Sequence, residues 1–236
     1  MKIIALILSL LLLTSCSNPD TSAGVTLSRG GGDDANEFPN GSCEGQHENT
    51  PDLNTGCGWI HVNEGSHYIM PGADLSYANL NRANLSGAHL HGANLQHAYL
   101  ILANLTGVDL SSAQLYLTVL VSANLTGANF QYADLNRADL GFANLTDANL
   151  SNANLYDAIL NSTDLRHVTL HLADLNHAYL RGADLTDADL SGADLQYAFL
   201  RDADLTDADL SDIKANSFTL CPNGKKWGTV GNNCPF

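Results

Sequence analysis

A strict period of five residues runs through most of this chain and limits what the chain can fold into. From Ala73 to residue 212 the typical unit reads Ala, then Asp or Asn, then Leu, then two mostly polar or small residues, without any insertion. Ala occupies its position in 24 of the 28 units, and the exceptions are Val108, Thr118, Thr163 and Val168. The central position recurs 28 times from Leu75 to Leu210, and Phe130 is the one residue there that is not Leu. A period of five matches neither the 3.6 of a helix nor the 2.0 of a strand. The pattern therefore predicts a square coil, in which each unit forms one side and turns its Leu and the preceding Ala inward.

The length of one coil follows from a second pattern. The residue before each central position should face solvent, yet in five units it is large and apolar: Tyr99, Val119, Ile159, Tyr179 and Phe199. These five positions are separated by multiples of 20, which indicates four units per coil and about seven coils. With stacked strands ~4.8 Å apart, the repeats would form a rod ~34 Å long.

The pattern A-[DN]-L-x-x over residues 73–212 resembles the pentapeptide-repeat family. The resemblance implies an all-β fold, a right-handed quadrilateral β-helix with four pentapeptides per turn. We expect the β-helix to span residues 73–220, because the register can continue through Ile213, Ala215, Phe218 and Leu220. Residues 43–72 and 221–236 are then an N-terminal cap and a C-terminal cap loop, which would cover the open ends of the core.

The first residues favour export. Lys2 precedes the run Ile3 to Leu13, which is apolar apart from Ser9. The run is too short to cross a bilayer, which needs ~20 residues, and is typical of a signal peptide over residues 1–15. Leu13-Thr14-Ser15-Cys16 resembles a bacterial lipobox, which implies cleavage before Cys16 and lipid, including palmitate, on that residue. Ser17 implies sorting to the outer membrane, on its periplasmic or its outer surface. The alternative is an ordinary signal peptide with an incidental Cys. Residues 16–42, rich in Gly, Ser, Asn and Asp, are expected to be a flexible tether.

Four further cysteines fall into two local pairs, Cys43 with Cys57 and Cys221 with Cys234. A rod between the pairs would keep them apart, and an oxidising compartment would maintain disulfides, so we predict the two local bonds. The alternative is zinc, which would need the four cysteines to converge or histidines at ligand spacing. His47 and His61 flank the first pair only.

No catalytic motif, phosphate-binding loop or cofactor site is present, so we expect no enzyme, no cofactor and no metal centre. His89 and His91 could at most bind a metal weakly, and the other repeat histidines are expected to be exposed polar side chains. The net charge of −15 argues against binding nucleic acid or an anionic membrane through a basic face.

Acidic residues concentrate near the end of the repeats. Residues 183–212 hold nine Asp, and only Arg201 opposes them within that segment. The resemblance suggests an alternative function here, because some pentapeptide-repeat proteins are DNA mimics that bind DNA gyrase. That function would require that the chain is not exported.

A cluster of apolar residues on one side of the coil is the candidate site for a contact. It consists of the residues that we call the apolar strip: Tyr99, Ile101, Leu102, Tyr116, Leu117, Val119, Val121, Phe142, Ile159, Tyr179 and Phe199. An exposed apolar strip indicates a contact surface, whose partner could be a second copy, a lipid surface or another envelope protein. The sequence thus predicts a non-enzymatic, lipid-anchored structural or protein-interaction module of the cell envelope.

Overall fold

The computed structural model describes residues 58–62, 65–228 and 234, with side chains from His67 onward in that set. These residues belong to one compact unit, Phe38–Phe236. The predicted signal peptide, Cys16, the tether and the Cys43–Cys57 pair lie outside the described residues. In the described part of the chain, no helix has the length and hydropathy that a membrane span requires.

A short hairpin precedes the repeats. Strand β1 (Gly58–Val62) pairs antiparallel with strand β2 (Gly65–Ile69), with Trp59 opposite Tyr68. Ile69 is fully buried and Met70 packs against the repeat core, so the hairpin continues directly into the first Leu layer. Burial at this end lowers the pKa of His67 and raises the pKa of Tyr68, because both charged forms lose hydration.

The repeat body is held together by parallel bridges that join each side of the coil to the same side of the next coil. They run from Asp74 paired with Asn94 to Asp194 paired with Lys214. Each bridge carries two backbone hydrogen bonds: the N–H of Leu75 donates to the carbonyl of Asn94 (2.7 Å), and the N–H of Asn94 donates to the carbonyl of Ala73 (2.9 Å). Each side is too short to form a longer strand, because a turn follows at once. The β-helix that the resemblance implied is confirmed.

Every corner is a tight turn with the same backbone conformation. The N–H of Ala78 donates to the carbonyl of Leu75 (3.1 Å), and the two residues between them form the corner. The second corner residue has a positive φ at every unit from Gly72 to Asp212, and most of these residues are not glycine. Because the first corner residue has no positive φ, the turns are type II. A side chain in this region costs about 1–2 kcal/mol, which the two bridge hydrogen bonds and the buried Leu of each unit must offset.

The core is a stack of Leu layers with Ala at their edges. The central residues are buried from Leu75 to Leu205, Phe130 included, whereas Leu210 is only partly buried. The inward positions that depart from Ala are buried as well. Thr118 and Thr163 fit because their hydroxyls donate to the carbonyls of Leu95 (2.7 Å) and Leu140 (2.9 Å), which satisfies them inside the core.

The regular register ends one side of the coil earlier than the sequence suggested. Leu220 pairs with Phe199, whereas the regular spacing would bring Thr219 to that place, so the corner between Lys214 and Leu220 holds one extra residue. Phe218, which the period assigned to an inward position, is 55% exposed, and Thr219 is buried in its place. The cause is a local turn, in which the N–H of Thr219 donates to the carbonyl of Asn216 (2.9 Å) and the N–H of Asn216 donates to the Thr219 hydroxyl (3.2 Å). The expectations for Phe218 and Leu220 were therefore wrong, because Leu220 takes the bridge position and is only partly buried, and Cys221 is buried after it.

The C-terminal segment folds back after this turn. Leu220 forms an antiparallel bridge with Lys226, and the N–H of Cys221 donates to the carbonyl of Lys225 (2.8 Å). Cys221 and Cys234, both buried, form a disulfide with their Cα atoms 5.3 Å apart, a normal separation for this bond.

Candidate interaction face

The four sides of the coil form four faces, which we name by the first bridge residue of each. Face A begins at Asp74, face B at Asn79, face C at Asn84 and face D at His89, and each face continues along the chain of bridges that starts there. The corners between faces A and B and between faces B and C are the AB and BC borders. All the residues of the apolar strip lie on face B or on these two borders.

On faces A, C and D the bridge residue has a structural task. Its side-chain oxygen typically accepts a hydrogen bond from the backbone N–H two positions later, as Asp74 does from Ser76 (3.1 Å). Neighbouring amides also form ladders, for example from Asn104 Nδ2 to Asn84 Oδ1 (3.0 Å). The Asp or Asn of the repeat therefore completes the corner that follows it.

Face B departs from this rule. Bridges connect Tyr99 to Val119, Ile159 to Tyr179 and Tyr179 to Phe199, and none of these side chains can accept the corner hydrogen bond. In two coils an Asn of the preceding coil accepts it instead: Asn81 from the N–H of Ile101 (2.7 Å) and Asn161 from that of Arg181 (3.1 Å). Tyr99 and Tyr179 are 48% and 40% exposed. Face B thus repeatedly replaces a stabilising polar residue with an apolar one.

One acidic residue divides the face. Asp139 pairs with Val119 on one side and Ile159 on the other, and its Oδ1 accepts a hydrogen bond from the N–H of Gly141 (3.0 Å). The next corner residue is Phe142, which is 68% exposed. The apolar strip is therefore two clusters on face B, joined at the level of Asp139 by Phe142 on the BC border.

The other members of the strip lie on the borders. Ile101, Leu102 and Val121 accompany Phe142 on the BC border, and Tyr116 and Leu117 lie on the AB border. Leu102 is more exposed than Leu117, whereas Ile101, Tyr116 and Val121 are partly buried. Away from face B and its two borders, two large apolar residues of the repeats are exposed, Tyr132 and Leu172, both between faces D and A.

The AB border also carries two stacks that sequence reasoning missed. His97 stacks on Tyr77 with ring centroids 4.7 Å apart, and His177 stacks on Tyr197 at 4.6 Å. Tyr116 and Tyr156 contact the other sides of these imidazoles. The description of all the repeat histidines as exposed polar side chains was therefore incomplete for these two. A separation of one coil between Tyr and His was the pattern that could have revealed them.

The acidic end is less one-sided than its segment suggested. Arg181, from the coil before, lies 3.4 Å from Asp202, and Arg166 lies 3.7 Å from Asp184. The counting of charges within residues 183–212 missed these cations because they lie about one coil away in sequence. Hydrogen bonds from the hydroxyl and N–H of Thr206 lower the pKa of Asp204, which keeps that carboxylate charged. Among the described residues, no group of three or more potential ligands could hold a metal ion.

The hydrogen-bond pattern of face B predicts that a polar residue there will not destabilise the coil. We expect Val119→Asn to leave the free energy of unfolding unchanged or to raise it by about 1 kcal/mol, because the new amide can accept from the N–H of Val121. The matched control is Asp139→Val, which removes the bond to Gly141 and should lower stability by about 1 kcal/mol. Denaturant unfolding of both variants checks this. A large loss in Val119→Asn would mean that Val119 belongs to the core.

Comparison with known proteins gives a family match. The model for pentapeptide repeats matches residues 72–107, 103–141, 133–171 and 173–212, more than half of the chain. Among solved structures, the chain is similar to HetL, a pentapeptide repeat protein involved in heterocyst differentiation regulation from the cyanobacterium Nostoc sp. strain PCC 7120. The identity is 36%, over 66% of this chain and 86% of HetL, with a TM-score of 0.31.

Two further solved structures are similar at lower identity. One is a trypsin-treated form of QnrB1, a plasmid-mediated fluoroquinolone resistance protein, with 24% identity over 62% of this chain and 79% of that chain and a TM-score of 0.36. The other is a pentapeptide repeat protein from the Arabidopsis thaliana thylakoid lumen, with 25% identity over 51% of this chain and 66% of that chain and a TM-score of 0.27. No protein of curated function matches the chain significantly.

Proposed function

Because the chain belongs to the pentapeptide-repeat family and its repeat body is a right-handed β-helix, we propose that it is a non-enzymatic, lipid-anchored interaction module of the cell envelope. In this proposal about seven coils form a rigid rod, closed at both ends by caps with one disulfide each, Cys43–Cys57 and Cys221–Cys234. Leu and Ala fill the interior of the described coils, which leaves the outer faces to carry the function.

The observation that carries the proposal is the exposed apolar side of face B. The repeat accommodates a polar residue at this position, as faces A, C and D demonstrate, whereas Tyr99, Ile159 and Tyr179 are exposed there, and Tyr179 stacks on Phe199 of the next coil with ring centroids 5.1 Å apart. An exposed apolar patch on one face of a rod is typical of a contact surface. A rigid scaffold with one apolar side is suited to holding a partner in a fixed orientation.

The anchor in this proposal is the lipobox-like sequence that ends at Cys16. A multiply acylated cysteine would hold the protein stably on a membrane, because each buried methylene contributes ~0.8 kcal/mol. The segment from Cys16 to residue 42 would then connect the lipid to the first cap. Ser17 supports the outer membrane, facing the periplasm or the cell surface.

Lipidation is tested by growing expressing cells with radioactive palmitate. We expect the wild-type chain to be labelled and to fractionate with membranes, and we expect Cys16→Ala to lose the label completely, since no other acceptor is proposed. Ser15→Ala, which keeps a small residue before the cysteine, is the matched control and should retain the label. An unlabelled wild-type protein in the cytoplasm would contradict the anchor and would favour the DNA-mimic alternative, for which the acidic residues 183–212 would be the surface to test.

A further inference from the structure

We propose that face B lies flat on an anionic lipid surface, with the acidic faces of the coil turned away from it. The proposal rests on the function proposed above, in that a lipid on Cys16 would hold the protein at a bilayer. It goes further by naming what covers the apolar strip. The net negative charge of the chain argued against contact with an anionic membrane. That charge is, however, distributed very unevenly around the coil.

The cations of residues 73–228 gather beside face B. This segment has eight Lys and Arg, 17 Asp and no Glu. Five of the eight cations lie on the two borders. On the BC side these are Arg82, Arg181 and Arg201, and on the AB side they are Arg137 and Lys226. The Lys226 amine lies 5.3 Å from the ring centroid of Phe218. Only three of the 17 Asp lie on face B or its borders: Asp139, Asp157 and Asp202. Face B with its borders therefore has a net charge of +2, and the rest of the segment has −11.

This separation of charge acts locally. Opposite sheets of a coil lie ~10 Å apart, which exceeds the ~8 Å Debye length at physiological ionic strength. The carboxylates of face D are thus largely screened from a surface that touches face B. Anionic headgroups would meet the arginines of the borders first, and the acidic faces would stay in solvent.

The side chains of face B and its borders suit the headgroup region of a bilayer. Tyr99, Tyr179 and Tyr197 combine an apolar ring with a polar end, the combination that is enriched at membrane interfaces. The arginines can bury their alkyl stems and keep the guanidinium near phosphate. Arg137 and Arg181 already contact Asp157 and Asp202, but their side chains remain 51% and 68% exposed, and a guanidinium has five donors.

The same distribution disfavours a second copy as the occupant. Two copies packed through face B would bring two surfaces of positive net charge together, which opposes association. An anionic lipid surface, by contrast, complements both the apolar centre and the basic borders. Anionic lipid attracts basic residues near it by about 1 kcal/mol each, so the borders reinforce the apolar contact.

The test uses the full-length lipidated chain bound to vesicles of phosphatidylglycerol and phosphatidylethanolamine. Two positions in the same coil, half a coil apart, report on opposite sides: Ile159→Cys on face B and Thr169→Cys on face D, each carrying a fluorophore. We expect nitroxide-labelled lipid to quench the label at residue 159 and aqueous iodide to quench the label at residue 169. Equal access of iodide to both labels would overturn the proposal.

The other outcomes of this experiment separate a failure of the anchor from a failure of the lipid contact. A chain that does not float with the vesicles overturns both the anchor and the lipid contact, whereas one that floats while its residue 159 label remains open to iodide overturns the lipid contact alone. A residue 159 label shielded from both quenchers means a protein on face B, and this also overturns the proposal. If that protein is a second copy, Val119→Asp with Tyr179→Asp will dissociate a larger species in detergent.

A charge variant tests the borders separately. Arg181→Gln removes a cation beside face B, and Arg166→Gln removes one between faces C and D as a matched control. We expect the ratio of lipid-bound to lipid-free face B, measured by quenching at residue 159, to fall about fivefold for Arg181→Gln only. Equal effects of the two changes, or the same quenching at residue 159 on vesicles of neutral lipid, would contradict an electrostatic contribution from the borders.

Discussion

Phe130→Ala is expected to lower the free energy of unfolding by about 3–5 kcal/mol, the largest loss that we predict for a single side chain. Phe130 is completely buried and is the bulkiest residue among the central positions, with Leu110 and Leu150 in the coils on either side. Alanine there would leave a cavity that the layers cannot close, because each layer is fixed by bridges to both neighbours. Unfolding in urea, followed by circular dichroism, measures the loss.

The matched control is Phe130→Leu, which restores the residue found at every other central position. We expect it to cost less than about 1.5 kcal/mol, because the apolar volume changes little. If Phe130→Ala were no more destabilising than Phe130→Leu, the coil would have to be loosely packed at this level. Because a coil contacts only its neighbours, hydrogen exchange of Phe130→Ala should also accelerate most in the coils next to residue 130.

Removing the C-terminal disulfide with Cys221→Ala and Cys234→Ala is expected to destabilise the chain by about 2–4 kcal/mol. The bond closes a short loop after the last bridged side, and both cysteines are buried, so the open chain would gain entropy and lose a packed end. The loss should begin at the end of the β-helix, where Leu210 and Ile213 are only partly buried. Amide exchange near residues 205–220 should therefore rise before that of the central coils.

Reduction provides the control for this prediction. A reducing agent should lower the stability of the wild-type chain, and it should affect the double variant only to the extent that other cysteines contribute. An equal stability of oxidised and reduced wild-type protein would contradict a stabilising role for the bond. The same measurement distinguishes a disulfide from a zinc site, because a chelator would lower the stability of a zinc-bound chain and would leave that of a disulfide-bonded chain unchanged.

Much of the fold could be predicted because the repeat encodes it in single residues. Almost every inward position is marked by Leu or Ala, and the two polar exceptions, Thr118 and Thr163, remain inside because their hydroxyls find a carbonyl one coil below. The recurrence of Tyr99, Val119 and Ile159 at multiples of 20 predicted the spacing that the bridges show. These features follow from the residue type at each position of the repeat and from its recurrence along the chain, and both are visible in the sequence.

What could not be predicted depends on neighbours in adjacent coils or on a single local turn. The stacking of His97 on Tyr77 and the pairing of Arg181 with Asp202 join adjacent coils, so charge and residue type counted along one segment miss them. The displacement of Phe218 arises from the hydrogen bonds between Asn216 and Thr219, which interrupt a period that otherwise continues in the sequence. The sequence shows that Asp139 interrupts the apolar positions of face B. Only the stacking of the coils shows that this residue divides the strip into two clusters.

The bridges between successive coils also determine how a chain like this can change its length. Loss or gain of a single residue inside the repeats would turn every later Leu outward, as the extra residue before Leu220 illustrates at the end of the repeats. Loss of one pentapeptide between Val119 and Tyr179 would preserve the core but rotate all later coils by a quarter turn. Tyr99 and Val119 would then lie on a different face from Tyr179 and Phe199. Only whole coils can be duplicated or deleted without breaking face B. Selection on this surface would therefore appear in related genes as insertions and deletions of whole coils, rather than of single pentapeptides.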